Sequence, residues 1–193
     1  MNLIRLAVIG LMAAPAVLPL AAQQSADKTS KPSGALAWET LAEFLPESIP
    51  GYTAGEPTGG SRAVEDPASP ERSITHSSVR RSYIRETAEG EQSFINVTIV
   101  DAGRSRLVLD PFLPELSFVP SDDRQTVEIK GRRATQIIEY GESDIALGLV
   151  YVLVEERLAV IVQGEGVRDM DEVRGVAGAI DFEGLEKAMK AKK

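Results

Sequence analysis

Apolar residues recur at helical spacing in two stretches of the chain and at every second position in several others. Leu36, Ala37, Leu41, Phe44 and Leu45 have helical spacing, and Pro46 stops the run. A short helix is predicted there, with Trp38 as its buried anchor, because an indole removes a large apolar area from water. Glu47–Gly51 then turns the chain. Tyr52–Arg72 is rich in Gly, Pro, Glu and Ser and reads as an irregular surface loop. Its Gly59-Gly60 pair has the composition of a phosphate cradle, but no predicted strand leads into it and no helix follows.

Strand patterns come next. Ile74–Glu86 alternates loosely, through Ile74, Val79, Tyr83 and Ile84. Ala88–Glu91 contains Gly90 and predicts a hairpin turn. In Ser93–Asp101, Ile95, Val97 and Ile99 share one face while Asn96 and Thr98 share the other. Leu107–Pro120 is apolar but broken by Pro111, Pro114 and Pro120, and predicts a crossover or cover segment. Thr126–Lys130 and Ala134–Tyr140 flank Gly131 as a further hairpin. Gly141–Asp144 and Glu155–Arg157 predict turns before Ile145–Val154 and Leu158–Gln163.

Ile145–Val154 carries the most information. Ile145, Leu147, Leu149, Tyr151 and Leu153 point one way, and Ala146, Gly148, Val150, Val152 and Val154 the other. A strand apolar on both faces belongs inside a sheet and covered on both sides. The small residues Ala146 and Gly148 leave room for a helix to approach. The short turns around it predict antiparallel neighbours. Gly164–Val167 leads to a final helix over Asp169–Ile180, with Asp169 as cap, Glu172 completing a capping box, and Val173, Val176, Ala177 and Ile180 as its buried stripe. Lys187–Lys193 reads as a frayed basic tail.

The N-terminus has a different pattern. Met1–Ala22 carries one cation, Arg5, then an apolar run from Leu6 to Leu20, then Ala21-Ala22 before Gln23-Gln24. That order of charge, apolar core and small-residue exit is a secretory signal peptide. A membrane anchor is the alternative; a spanning helix needs about 20 consecutive apolar residues, and Pro15, Pro19 and Gln23 interrupt this run. Ala26 offers a later cleavage site. The expected organisation is therefore a signal peptide at 1–22, a polar leader at 23–34, one domain at 35–186 and the tail at 187–193.

Composition narrows the chemistry. A hydrophobic fraction of 43% over 193 residues supports a single real core. The formal charge of −8 argues against nucleic acid as a partner. The chain has no cysteine, which removes disulfides, thiol catalysis and cysteine-bound metal from consideration. A single histidine, His76, excludes sites that need two imidazoles.

His76 lies among Ser73, Thr75, Ser77 and Ser78, but a histidine and serines on one strand do not converge as a catalytic triad, and no GxSxG elbow is present. Asn96-Val97-Thr98 matches a glycosylation acceptor, against which its place inside a strand argues. The acidic pairs Asp122-Asp123, Glu155-Glu156 and Asp169/Asp171 lack calcium-loop spacing and fall in predicted turns or at a helix cap. The sharpest binding candidate is cationic. Arg80, Arg81 and Arg85 lie along one strand, Arg104 and Arg106 follow the next, and Lys130, Arg132 and Arg133 surround Gly131. If Arg80, Arg81, Lys130, Arg132 and Arg133 converge, they suit a small anionic ligand. The competing reading is strand-face charge that protects sheet edges.

The order of a short helix, a long hairpin, a crossover, further antiparallel strands and a C-terminal helix resembles the PsbP-like fold of photosystem accessory proteins and DcrB-type periplasmic proteins. The resembling stretches are Val127–Ala134, the pair Leu149–Val154 and Leu158–Val162, and Asp169–Leu185. The resemblance implies an αβα sandwich with an accessory or binding role, and it transfers no functional residue. The expectation is thus one α+β domain, a mainly antiparallel sheet of about six strands with helices packed on both faces. Expected with it is a periplasmic or secreted, non-catalytic module without a cofactor. Such a module contacts an envelope protein or a small anionic ligand and keeps no membrane span after cleavage. The alternatives are a small envelope hydrolase using carboxylates and His76, and envelope attachment through an uncleaved N-terminus.

Overall fold

Ile145–Val154 is a strand over the predicted residues, hydrogen-bonded to a neighbour on each side. The computed structural model describes residues 34–66, 69–86, 90–103, 109, 124–140 and 145–192. In chain order the elements are α1 (Trp38–Ala42), β1 (Thr53–Ala54), β2 (Thr58–Asp66), β3 (Ser69–Glu86), β4 (Gln92–Asp101), β5 (Arg124–Ile129) and β6 (Arg132–Tyr140). They continue with β7 (Ile145–Val154), β8 (Leu158–Val167), α2 (Met170–Ala179) and α3 (Phe182–Ala191). The expectations for residues 1–33, Arg104, Arg106, Asp122-Asp123 and Gly141–Asp144 lie outside the described residues. So does most of Leu107–Pro120.

The strands form one eight-stranded antiparallel sheet in the order β1-β3-β4-β8-β7-β6-β5, with β2 also paired to β3. The hairpin at Lys130-Gly131 forms as predicted, with Ile129 opposite Arg132. β8 threads between β4 and β7, so β4 and β5 lie four strands apart, about 19 Å at the usual strand spacing.

The αβα sandwich of about six strands is overturned on two counts. The strands number eight, because Tyr52–Arg72 is not an irregular loop. It holds β1, β2 and the start of β3. The described helices also do not cover both faces. Leu41 of α1, Val173 and Ala177 of α2, and Phe182, Leu185 and Met189 of α3 join one cluster with Val79, Ile95, Val97, Val150, Val152, Val160 and Val162. Alternate positions of β3, β4, β7 and β8 supply those strand residues, so they share one face. The reason is in the linkage: α3 begins directly after Ile180-Asp181, which keeps it on the side of the sheet that α2 already occupies.

The opposite face carries a smaller cluster of Val100, Ala102, Leu109, Ile137, Tyr151 and Ala159, with Leu149, Leu153 and Ile161 half-buried beside it. β7 is therefore apolar on both sides, as predicted, and the described helices roof one of them.

Local chemistry explains the elements. Asp169 caps α2, its carboxylate accepting from Glu172 N at 3.1 Å. Gly148 admits that helix: a Cβ there would stand 2.5 Å from Met170 Sδ. Gly59 does the same for α1, since a Cβ would meet both the Trp38 ring and the Ser78 carbonyl at 2.6 Å. The glycine pair that resembled a phosphate cradle is thus inside β2, and Gly59 lets Trp38 lie on the sheet. β8 extends through Val167, beyond the predicted end at Gln163. The basic tail is also corrected. Lys187 and Lys190 belong to α3, which Asp181 caps by accepting from Gly184 N at 2.9 Å. Phe182, Leu185 and Met189 bury one stripe of that helix.

Candidate functional site

Arg80 and Arg81 are successive residues of one strand, so they point to opposite faces. Arg80 is exposed on the face that no described helix covers and donates to Asn96 Oδ1 at 3.3 Å. Arg81 lies on the helix face and donates to the carbonyls of Gly55 and Pro46, both at 3.0 Å. Lys130, Arg132 and Arg133 sit at the β5–β6 turn; β6 is four strands from β3 and β5 five, so they lie about 19 Å or more away. Lys130 Nζ reaches the Ile180 carbonyl at 3.4 Å. Arg132 pairs with Glu186 at 2.6 Å and lies over the Phe182 ring. Arg133 is exposed opposite Glu128. The structure does not bring the five cations together, and it employs Arg81, Lys130 and Arg132 in holding the loop after α1, α2 and α3.

Two charged clusters that sequence reasoning missed lie on the helix side. Asp101 is fully buried at the end of β4. Its oxygens accept from Leu36 N and Gly103 N, each at 2.8 Å, and from Arg157. Arg157 also donates to the Gly34 carbonyl and accepts from Ala102 N at 3.0 Å through its own carbonyl. Lys192 Nζ holds the Ala35 carbonyl. The first described residues are thereby tied to β4, the β7–β8 turn and the end of α3. In the second cluster, Arg85 bonds Glu172 Oε1 at 2.5 Å and stacks 4.6 Å from the Tyr52 ring centre. Tyr52 donates to the same oxygen at 3.0 Å. Burial, and then its bond to the Glu172 carboxylate, push the Tyr52 hydroxyl well above the ordinary tyrosine range. Both clusters join segments far apart in the chain, so neither is marked by a local sequence pattern.

His76 is half-buried on β3, opposite Arg62 of β2. Burial, and then the Arg62 charge, lower its pKa below the usual 6.5, and its Nδ1 has no hydrogen-bond partner among the described residues. A general base of the triad type is oriented by a carboxylate; the charge facing His76 is a cation. No group of three or more His, Asp or Glu stands within metal-binding reach among the described residues.

The face that no described helix covers is a further candidate surface. By register, Thr135, Tyr151, Ile161, Thr98 and Arg80 form one row across the sheet, and Ile137, Leu149, Gln163, Asn96 and Ser82 form the next. Tyr151, Ile161, Ile137 and Leu149 make an apolar half; Arg80, Asn96, Ser82, Thr98 and Gln163 make a polar one. Asn96, the asparagine of the acceptor motif, is 7% exposed and accepts from both Arg80 and Ser82. No described helix is long and apolar enough to cross a membrane.

The chain matches no protein-family model, no curated protein and no solved structure, so nothing in these comparisons links it to the PsbP-like fold.

Proposed function

We propose that the chain is an exported, non-catalytic binding module of a bacterial cell envelope, and that it meets its partner with the sheet face opposite the helices. Export is supported by the order of Arg5, the Leu6–Leu20 apolar run and Ala21-Ala22. The binding face is supported by one observation above the others: Leu149, Leu153 and Ile161 are only partly buried beside a polar row, while the other face is packed against the three described helices. An open apolar strip with polar groups along one side suits a protein partner or a ligand with an apolar body.

Two measurements test this reading. The N-terminal residue of protein recovered from the periplasmic fraction should be Gln23 or a nearby residue; Met1 retained in the cytoplasm overturns export. Affinity capture from envelope extract should yield a partner that Leu149→Glu and Ile161→Glu fail to retain while keeping the wild-type circular dichroism. Equal capture by all three proteins overturns the assignment of the face.

A further inference from the structure

β2 and β3 pair without a register shift from Thr58↔Arg80 to Arg62↔His76. Gly59 receives the Trp38 ring and Val79 belongs to the helix-side core. The alternate positions therefore lie on the opposite face: Gly60 and Arg62 of β2, with His76, Ser78 and Arg80 of β3. Gly60 stands opposite Ser78, and a Cβ built on Gly60 meets no heavy atom within 4 Å. The next pair on that face is about 7 Å along the strands, where Arg62 faces His76 about 5 Å across the ladder. Arg62 and Arg80 are exposed; His76 and Ser78 are half-buried. A guanidinium, an imidazole and a hydroxyl thus border a floor that carries no side chain.

The imidazole is set up as a donor. Burial, and then the Arg62 charge, lower the His76 pKa, so the ring is neutral at pH 7. A neutral imidazole carries a proton on one nitrogen only. Nδ1 is buried and meets no acceptor among the described residues, so the proton belongs on Nε2. We propose that the Arg62 guanidinium, His76 Nε2–H and the Ser78 hydroxyl form a site for one phosphate group, free or esterified, seated over Gly60. The guanidinium supplies a fork of N–H donors and the charge, while the imidazole and the hydroxyl supply one donor each. That set suits a tetrahedral oxyanion better than a flat carboxylate. Arg80, two positions from Ser78 and bonded to Asn96 through Nε, adds a second positive charge at the rim. The net charge of −8 repels a long polyanion, whereas a local cationic spot still attracts a single anion.

His76 is the single histidine, so its imidazole signals in NMR are unambiguous. Titrating the whole chain with inorganic phosphate at fixed ionic strength should shift them saturably, with a midpoint of about 1 mM. Bound phosphate should also raise the His76 pKa, because an anion favours the charged ring. Among the described residues, the charged groups around that ring are Arg62 across the ladder and Arg80 along β3; Asp101, at the end of β4, turns to Arg157 on the helix side. Arg62→Gln and Gly60→Leu should each weaken phosphate binding about tenfold or more while keeping the wild-type circular dichroism. Arg133→Gln, at an exposed position of β6, should bind as wild type does. Phenyl phosphate should displace the inorganic ion; tighter binding of the ester marks an esterified ligand, and weaker binding marks the free ion. Leu149→Glu and Ile161→Glu should leave phosphate binding unchanged, so this site and the envelope capture fail separately. The proposal is overturned if the His76 signals do not saturate, if sodium chloride of equal ionic strength shifts them as far, or if Arg62→Gln binds phosphate as tightly as wild type.

Discussion

Arg157 holds Asp101 with two nitrogens, Nε on one carboxylate oxygen and Nη2 on the other, both at 2.7 Å. The aspartate is fully buried and the arginine one-fifth exposed. Removing the cation leaves a carboxylate with no route to water. Arg157→Met should therefore lower the unfolding free energy by about 3–5 kcal/mol, measured by urea denaturation. The same variant should expose the chain near Gly34 to protease, since its carbonyl loses the donor that Arg157 supplies. An unfolding midpoint equal to wild type refutes this.

Gly59→Ala should destabilise by about 1–3 kcal/mol, because its Cβ meets the fixed Ser78 carbonyl as well as the Trp38 ring. Trp38 is the single tryptophan of the chain, so intrinsic fluorescence reads its displacement directly. A red-shifted emission and a lower midpoint are expected. Gly60→Ala, which meets nothing within 4 Å, should change neither by much.

The β7–β8 turn holds Glu155 and Glu156 at φ of 51° and 52°, a left-handed region that favours asparagine and glycine. A Cβ in this conformation costs about 1–2 kcal/mol. Glu156→Gly, or the pair E155N/E156G, should raise the thermal midpoint. The pair also breaks the Lys190–Glu155 ion pair, which is exposed and 4.0 Å long, so its removal should not offset the gain. An unchanged or lower midpoint counts against the strain argument.

His76 predicts a stability loss on the acid side. Its pKa is lowered in the folded chain, so the unfolded chain binds the proton more readily. Above the usual 6.5 both states are neutral and the group has no effect. As pH falls from 6.5 towards the lowered folded value, stability is lost, and below that value the loss is complete. His76→Gln should show a shallower decline between pH 7 and pH 5 in paired denaturation series, about two units of acidification. Parallel curves for the two proteins refute the assignment.

Much of the architecture was legible where burial is periodic. β7 alternates between two apolar sets, and its boundaries follow from the turns on either side. Asp169 and Glu172 announced the start of α2. β2 was not legible, because Thr58–Ala63 and Glu65 are exposed and no apolar alternation marks it. α3 was hidden by its lysines, although Phe182, Leu185 and Met189 already have the spacing of a buried stripe. The proposed cationic site illustrates a different limit. Adjacency of Arg80 and Arg81 in a strand already implied opposite faces, but the distance from β3 to the Lys130–Arg133 turn follows only from β8 threading between β4 and β7. That threading depends on pairings between residues far apart in the chain.

The packing of all the described helices on one face divides the molecule's tolerance for change. Replacements beneath α2 and α3 must respect a packed interior in which Val97, Val160 and Leu185 have no freedom to resize. Replacements at Thr98, Thr135 or Gln163 touch no helix. Side chains on that surface can therefore change one by one while the scaffold beneath stays unaltered.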